Sequence, residues 1–534
     1  MIGAALAVSL GLHLWGVERN LPDGRDVDED VLVRPAVRIA SSGDLNPRWF
    51  GYPGSTVIYP LAALLHVQEA AFHGGSWTKP NPGIRIKFFT GGFAPYVRTG
   101  RYLSVAYGVG SVAAAAWIAW LLFGPATSAV TAVLAATSPL AIEYAQPLRT
   151  DSAATFYGLL YLGLVLRALA KPTGARQALA GAALGLAIAS RYLMASTGAV
   201  LAAAHLHLLL RARERTTLRA LLAGWLAVPI AFFASTPYML LDASAALQGF
   251  LVAARNQSAH TGIDQLGFLG NVRFYLLEAI PQAIGWPQLA LALLAIALLA
   301  WRRRFAALLL PLYAAVFVVG ISSLGIHWQR WVIPALPVLA ALAAHALVEL
   351  ASVAARAVRA APAQRAVATA LAAAVTVAVA IGPTREAIRL SRLYARPSTE
   401  VIALEWLLAN VPDGARIAYE WYTAPLISPR ARAKRFKTYA PSTLSQHPLS
   451  FYRREGWEYL LISTNMYGRY TRDPERYSRQ VAFYERLRER ATLLFEARPS
   501  REQRGPLVSV YRLRPARRGA ADRGSADDGA PTIR

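Results

Sequence analysis

Apolar residues in this chain come in long runs broken by short polar, arginine-rich joints. Runs long enough to be read as membrane helices are Ile2–Val17, Tyr102–Phe123, Ala126–Ile142, Ser152–Ala170, Ala178–Ala189, Leu193–Leu210, Leu218–Ala234, Pro287–Trp301, Phe305–Leu324, Trp331–Ala351 and Ala366–Ile381. Several fall short of the ~20 residues an untilted span needs, so their ends are soft. Ser55–Val67 is a shorter apolar stretch interrupted by Pro60, which suits a helix lying at the membrane face rather than crossing it. Past Ile381 the pattern changes. Ser398–Val411 reads as an amphipathic helix, Pro474–Arg490 as a charged one, and Arg416–Tyr422, Glu458–Ser463, Thr492–Ala497 and Leu507–Arg512 as short strands.

This predicts an α-helical polytopic membrane protein of about eleven transmembrane helices over residues 1–385, with juxtamembrane helices within 18–101. A small α/β domain over 386–514 and a tail from Pro515 without apolar periodicity, expected to be disordered, complete the chain. Composition agrees. Of 534 residues 55% are hydrophobic and only 16% charged, and the mean hydropathy is +0.33, values that exclude an ordinary soluble chain. The net charge of +25 could suggest nucleic acid. Its distribution instead points to a membrane, because much of the basic charge sits in clusters between apolar runs. With no cysteine, neither a disulfide framework nor a thiolate metal site is available.

The clusters also set the topology. Arg167/Lys171/Arg176, Arg211/Arg213/Arg215/Arg219, Arg302/Arg303/Arg304 and Arg356/Arg359/Arg365 share one side only if two helices separate each neighbouring pair. Ala178–Leu210 must then be two helices turning near Ser190-Arg191-Tyr192. If Ser55–Val67 does not cross, the N-terminus is cytoplasmic and the C-terminal domain extracytoplasmic.

The outer face then gathers most of the polar chemistry. It carries Asp26, Asp28, Glu29 and Asp30 in the first loop, Glu143, Gln146, Arg149 and Asp151 in the second, and the turn at Arg191. It also carries a long loop from Thr236 through Gln257 and His260 to Trp286, and the segment His327-Trp328-Gln329-Arg330. Acidic residues are nearly absent from the cores of the runs, unlike the midplane sites of ion-coupled carriers. Bland readings stand beside the functional ones. Arg330 between Trp328 and Trp331 fits an aromatic belt with a snorkelling arginine, Arg191 a cap at a helix turn, and Asp151 an N-cap for a helix starting at Ser152. His260, His327 and the acids could bind a divalent cation, although no ligand spacing recurs and no cofactor is required.

Taken together, Asp28-Glu29, Gly43-Asp44-Leu45-Asn46-Pro47 with Trp49-Phe50 and Tyr52-Pro53, Arg149-Thr150-Asp151, Gly185–Tyr192, Thr236-Pro237-Tyr238, and Arg330-Trp331 ahead of Pro334 and Pro337 carry a resemblance. The membrane part resembles the GT-C superfamily, more narrowly glycosyltransferase family 39 and its relatives, the protein O-mannosyltransferases and lipid A aminoarabinose transferases. The resemblance implies transfer of a sugar, with inversion, from a polyprenyl-phosphate donor to a protein, lipid or glycan acceptor at the outer face of a cell membrane. Asp28, or Glu29, is then the base, crowded by Asp26 and Asp30 into a higher affinity for a proton. Asp151 is a further catalytic candidate, and Arg330, Arg191 and Arg149 are candidates for the lipid phosphate. A transporter or flippase of lipid-linked sugars, without catalysis, is the alternative.

Overall fold

The structure, a computed structural model, describes residues 1–24, 26–90, 92–211, 217–258, 266–358 and 361–513. His260, Arg213, Arg215, Arg359 and the tail from Pro515 lie outside the described residues. The chain divides into two compact units, Met1–Ser398 and the residues from Thr399 on.

The first unit is helical. Its opening helices are α1 (Ile2–Trp15), α2 (Val27–Ser42), α3 (Ser55–Phe72), α4 (Gly83–Thr90) and α5 (Ala94–Phe123), followed by α6 (Pro125–Ala136), α7 (Pro139–Ala145), α8 (Thr150–Ala170), α9 (Gly174–Ser190), α10 (Gly198–Arg211) and α11 (Leu218–Ser235). Beyond these come α12 (Tyr238–Leu241), α13 (Ala243–Ser258), α14 (Gly267–Phe274), α15 (Ile280–Ile284), α16 (Trp286–Trp301), α17 (Phe305–Ser322), α18 (Leu336–Ala355) and α19 (Ala361–Tyr394). Among the described residues seven helices are long and apolar enough to cross a membrane, and two bent pairs, α6 with α7 and the α14–α15 segment with α16, bring the number to nine; α1 is a shorter apolar helix. Each of the eleven apolar runs falls on one of these helices or pairs. Large side chains such as Leu222, Leu226 and Ile230 on α11 are exposed, which suits lipid rather than water. This is a multi-pass membrane protein.

The break at Arg191 is where the arginine clusters put it. α9 stops at Ser190, Arg191 is extended (φ −152°, ψ 129°), and a 3-10 turn over Tyr192–Thr197 leads into α10. α9 is held against α11 by small residues one turn apart. A Cβ on Gly181 would lie 1.8 Å from the Gly224 carbonyl oxygen, and one on Gly185 would lie 2.4 Å from that of Val228. Glycine is required at both, because the two backbones touch.

Two segments differ from the sequence reading, and a third is only longer than expected. The acids at 26–30 are not in a loop: Asp26 caps α2, and Asp28, Glu29 and Asp30 form its first turn, where carboxylates favour the helix dipole. Ser55–Val67 is the core of α3, which runs on to Phe72 and packs with α2 and α4 through Val33, Val37, Ile58, Leu61 and Phe88. The long loop expected from Thr236 to Trp286 instead contains α12–α15, because spaced apolar residues such as Leu247, Phe250 and Leu251 give it helical faces.

The second unit opens with α20 (Thr399–Asn410) and adds three short helices, α21 (Pro429–Ala433), α22 (Leu449–Arg454) and α23 (Thr464–Thr471), before α24 (Ser478–Arg490). Its sheet comprises β1 (Arg416–Tyr419), β2 (Lys437–Tyr439), β3 (Tyr459–Ser463), β4 (Ala491–Ala497) and β5 (Val508–Leu513), ordered β2-β1-β3-β5-β4. β1 is parallel to β2 and β3, whereas β5 is antiparallel to β3 and β4. β3 is buried along its whole length, as a central strand covered on both faces must be. α20 covers one face with Leu404 and Leu407, and α24 the other with Tyr484 and Leu487. β2, absent from the sequence reading, is a three-residue edge strand without an apolar run.

Candidate functional site

The first turn of α2 separates its acids by helical geometry, and each meets a different arginine. Asp26 pairs with Arg19, and Asp30 with Arg34 at 3.2 Å. Glu29 is fully buried and bidentate with Arg101 of α5, at 2.7 and 2.9 Å. Its oxygens also accept the backbone N–H of Leu148 at 3.0 Å and that of Asp26 at 2.8 Å, the latter completing a capping box. Arg101 in turn donates to the carbonyls of Val17 (2.7 Å) and Arg19 (2.9 Å). Glu29 and Arg101 therefore tie the segment after α1, α2, α5 and the approach to α8 into one unit. Both oxygens of Glu29 are engaged and the side chain is fully buried.

Asp28 is placed differently. Its Oδ2 accepts from Arg149 Nη1, and Arg330 Nη2 lies 3.7 Å from the same oxygen. The Asp28 side chain is 42% exposed, whereas that of Asp151 is only 5% exposed, so Asp28 is the more accessible carboxylate of the two. The crowding of like charges expected around Asp28 is absent, since its acidic neighbours each have an arginine and its own contacts are guanidiniums.

Asp151 does not cap a helix at Ser152. The helix begins at Thr150 with Arg149 at its N-cap, and Asp151 in the first turn accepts from Arg191 Nη1. Arg191 faces Trp331 (5.8 Å to the ring centroid), and Arg330 lies over Trp328 (4.7 Å) and Tyr144 (6.0 Å). Aromatic faces hold both cations in place while leaving their N–H groups available. Burial disfavours the Arg149 charge, but the carboxylates of Asp28, Asp26 and Asp151 outweigh it and hold the guanidinium more firmly protonated than usual. Burial, reinforced by the Asp28 charge, pushes the Tyr52 hydroxyl up, so it stays a donor; Arg149, Arg191 and Arg330 work the other way.

These residues line one cavity of about 390 Å³. Asp28, Asp151, Arg149, Arg191, Arg330 and Tyr52 supply its polar part, and Leu193, Phe250, Ala253 and Leu324 an apolar part. Its described lining carries three arginines against two aspartates, one positive charge in excess. The cavity thus joins a cationic wall, one accessible carboxylate and an apolar wall at the ends of membrane helices.

Asp28, Asp151, Arg149, Arg191 and Arg330, remote in sequence, are brought together; Glu29 and Asp26 stand behind them in the framework. His327 is not on the cavity wall and packs against Phe274, ring centroids 4.6 Å apart. Among the described residues no three His, Asp or Glu side chains converge as metal ligands. Sequence reasoning missed Arg101. Its signal was present, a lone arginine abutting the apolar run Tyr102–Phe123, inside what proves to be α5.

No family model matches the chain, and no curated protein matches it in sequence. Solved structures do. ArnT from Cupriavidus metallidurans bound to undecaprenyl phosphate matches with a TM-score of 0.55 at 13% identity, over 95% of this chain and 97% of that one. The apo state of the same protein gives 0.58 at 13% identity over the same shares. The Archaeoglobus fulgidus oligosaccharyltransferase tethered to an acceptor peptide gives 0.50 at 15% identity, over 92% of this chain and 72% of that one. Both are GT-C superfamily proteins, and the likeness shows that this chain has the GT-C fold.

Proposed function

We propose that this GT-C-fold chain transfers a sugar from a polyprenyl-phosphate donor to an acceptor hydroxyl at the outer face of the membrane. The observation that carries the reading is the cavity in which Asp28 is held by Arg149 and approached by Arg330, with an apolar wall opposite. A lipid-linked sugar phosphodiester carries one negative charge, which matches the one excess positive charge of the described lining. Its isoprenoid tail suits the wall of Leu193, Phe250 and Leu324. The likeness to ArnT, whose structure holds undecaprenyl phosphate, supports this choice of donor.

The chemistry is a single displacement. The acceptor oxygen attacks the anomeric carbon and its proton passes to Asp28, while the bond from that carbon to the phosphate oxygen breaks and its electron pair leaves on the lipid phosphate. The phosphate thereby gains a second negative charge, which Arg149 and Arg330 stabilise through charge-assisted hydrogen bonds. Among the described lining residues Asp28 is the one exposed carboxylate, Asp151 being bound to Arg191, which favours direct displacement with inversion over a glycosyl intermediate. Without donor, the guanidiniums rest on Asp28. An arriving phosphate competes for them and frees the carboxylate to act as a base, so donor binding switches the base on.

The test is purified protein in proteoliposomes with a polyprenyl-phosphate donor labelled in its sugar, chased for transfer to acceptor and for release of polyprenyl phosphate. Both products should accumulate together. Movement of intact donor between leaflets, with no release of polyprenyl phosphate, would establish a flippase instead.

A further inference from the structure

A second cavity, of about 320 Å³, lies on the other side of α2. The helix faces both. Asp28 and Leu32 line the first cavity, while Asp30, Arg34 and Arg38, at intervals of one turn, line the second. The loop after α2 is shared in the same way, with Arg48 and Trp49 on the second cavity and Gly51 and Tyr52 on the first.

The second cavity has donors and positive charge that no described residue satisfies. Arg34 is paired with Asp30 at 3.2 Å, and Arg48 with Asp44 at 3.1 Å. Arg38 donates from Nη2 to the Asn46 carbonyl, but its Nε is buried without a hydrogen-bond partner, and so is Nε1 of Trp49. Arg85, from α4, lines the same cavity with no ion pair and no side-chain hydrogen bond among the described residues. The buried donors Arg38 Nε and Trp49 Nε1 are costly unless something accepts from them. Burial and the charge of Arg48, with Arg85 adding to it and Asp44 opposing, hold Arg38 below the ordinary guanidinium range. After the two ion pairs are counted, Arg38 and Arg85 leave two positive charges uncompensated. The remaining walls are aromatic, formed by Trp49, Phe88 and Phe89.

We propose that this cavity is a second binding site, separate from the reaction cavity, for a phosphomonoester carried on a sugar ring or a lipid headgroup. Two uncompensated guanidiniums match the near-dianionic charge of a phosphomonoester at neutral pH. Arginine is suited to grip its oxygens in pairs, and Trp49 and Phe88 offer faces for the attached ring or glycerol. A carboxylate or phosphodiester would leave one charge unmatched. The assignment does not depend on the transferase reading, because it rests on the second cavity alone.

The test is titration of full-length protein in phosphatidylcholine nanodiscs with glucose 6-phosphate, glucose and inorganic phosphate, followed by calorimetry. Glucose 6-phosphate should bind at two places, one lost in Arg330→Gln and the other in Arg85→Gln. Arg85→Gln and Arg38→Gln should each weaken the second event by tenfold or more, and glucose should not produce it. Arg85 is exposed, so its variant carries the test if Arg38→Gln fails to fold. In discs doped with phosphatidic acid, loss of the Arg85-dependent event by competition would identify a lipid headgroup as the source, and its persistence a soluble or glycan-borne phosphate. An unchanged titration in both Arg85→Gln and Arg38→Gln, or no phosphate-dependent event beyond the one that Arg330 controls, would overturn the proposal.

Discussion

Glu29 and Asp28 are adjacent in sequence and opposite in surroundings, and the difference is one of partners. Glu29 has every acceptor position in use, against Arg101 and two backbone N–H groups, while Asp28 shares its carboxylate with two arginines at the edge of a cavity. The acidic cluster itself was legible in the sequence. Which acid faced the cavity was not, because the deciding arginines are 72 and 121 positions away. A buried ion pair that loses one charge costs about 3–5 kcal/mol. Glu29→Gln should therefore lower the unfolding midpoint of the membrane unit by several degrees, and Glu29→Gln with Arg101→Met should recover part of the loss. Transfer activity in whatever Glu29→Gln protein stays folded should remain within a few-fold of normal. A variant of full thermal stability with no transfer would move Glu29 into the chemistry.

Helices place these residues, and two elements make the dependence measurable. Arg191 sits immediately after α9, whose position is fixed by contact of Gly181 and Gly185 with the α11 backbone. Gly181→Val forces the helices apart at a cost of about 1–3 kcal/mol and carries Arg191 away from Asp151. Transfer should fall at least tenfold while the protein still reaches the membrane; unchanged kinetics would show that the α9–α11 contact does not position the site. In the second unit, burial pushes the Glu420 carboxyl up to about 7, against hydrogen bonds from Ser463 N–H, Tyr484 hydroxyl and Leu444 N–H. Its folded pKa lies above the unfolded one. The associated stability is therefore fully present below about 4.5 and lost as pH rises through about 7, a change of about 3 kcal/mol. Hydrogen exchange at Leu444 and Ser463, corrected for intrinsic rates, should reveal more frequent opening at pH 8 than at pH 5, and Glu420→Gln should flatten that dependence. The reverse slope would mean that Glu420 is charged in the folded domain. Most helices and strands were legible because their apolar runs were long. The exceptions, β2 and the helices α12–α15, have short or sparsely apolar patterns that only their packing partners resolve.

For the whole molecule, the class and the GT-C fold were readable from hydropathy, the arginine clusters and a scatter of motifs, none of which would suffice alone. The convergence of Asp28, Asp151, Arg149, Arg191 and Arg330 was foreshadowed only as a shared side of the membrane. That side is itself testable. Cysteines introduced at the exposed positions Ser42 and Ser500 should react with an impermeant thiol reagent in intact cells, while one at Thr217 should react only after permeabilisation. Labelling of Thr217→Cys with protection of Ser500→Cys would invert the topology and place the cavity on the cytoplasmic face.

The central claim is that Asp28 is the base and that its arginines belong to the phosphate once donor binds. Asp28→Asn keeps the side-chain shape, removes the basic oxygen and releases Arg149 and Arg330 from a competing charge. The measurement is donor affinity and single-turnover transfer on the same purified preparations of wild type and Asp28→Asn. Transfer should fall by ~10²–10⁴, the usual worth of a general base, while donor affinity stays equal or rises a few-fold. Transfer near the wild-type rate, or a loss explained entirely by weaker donor binding, would contradict the account.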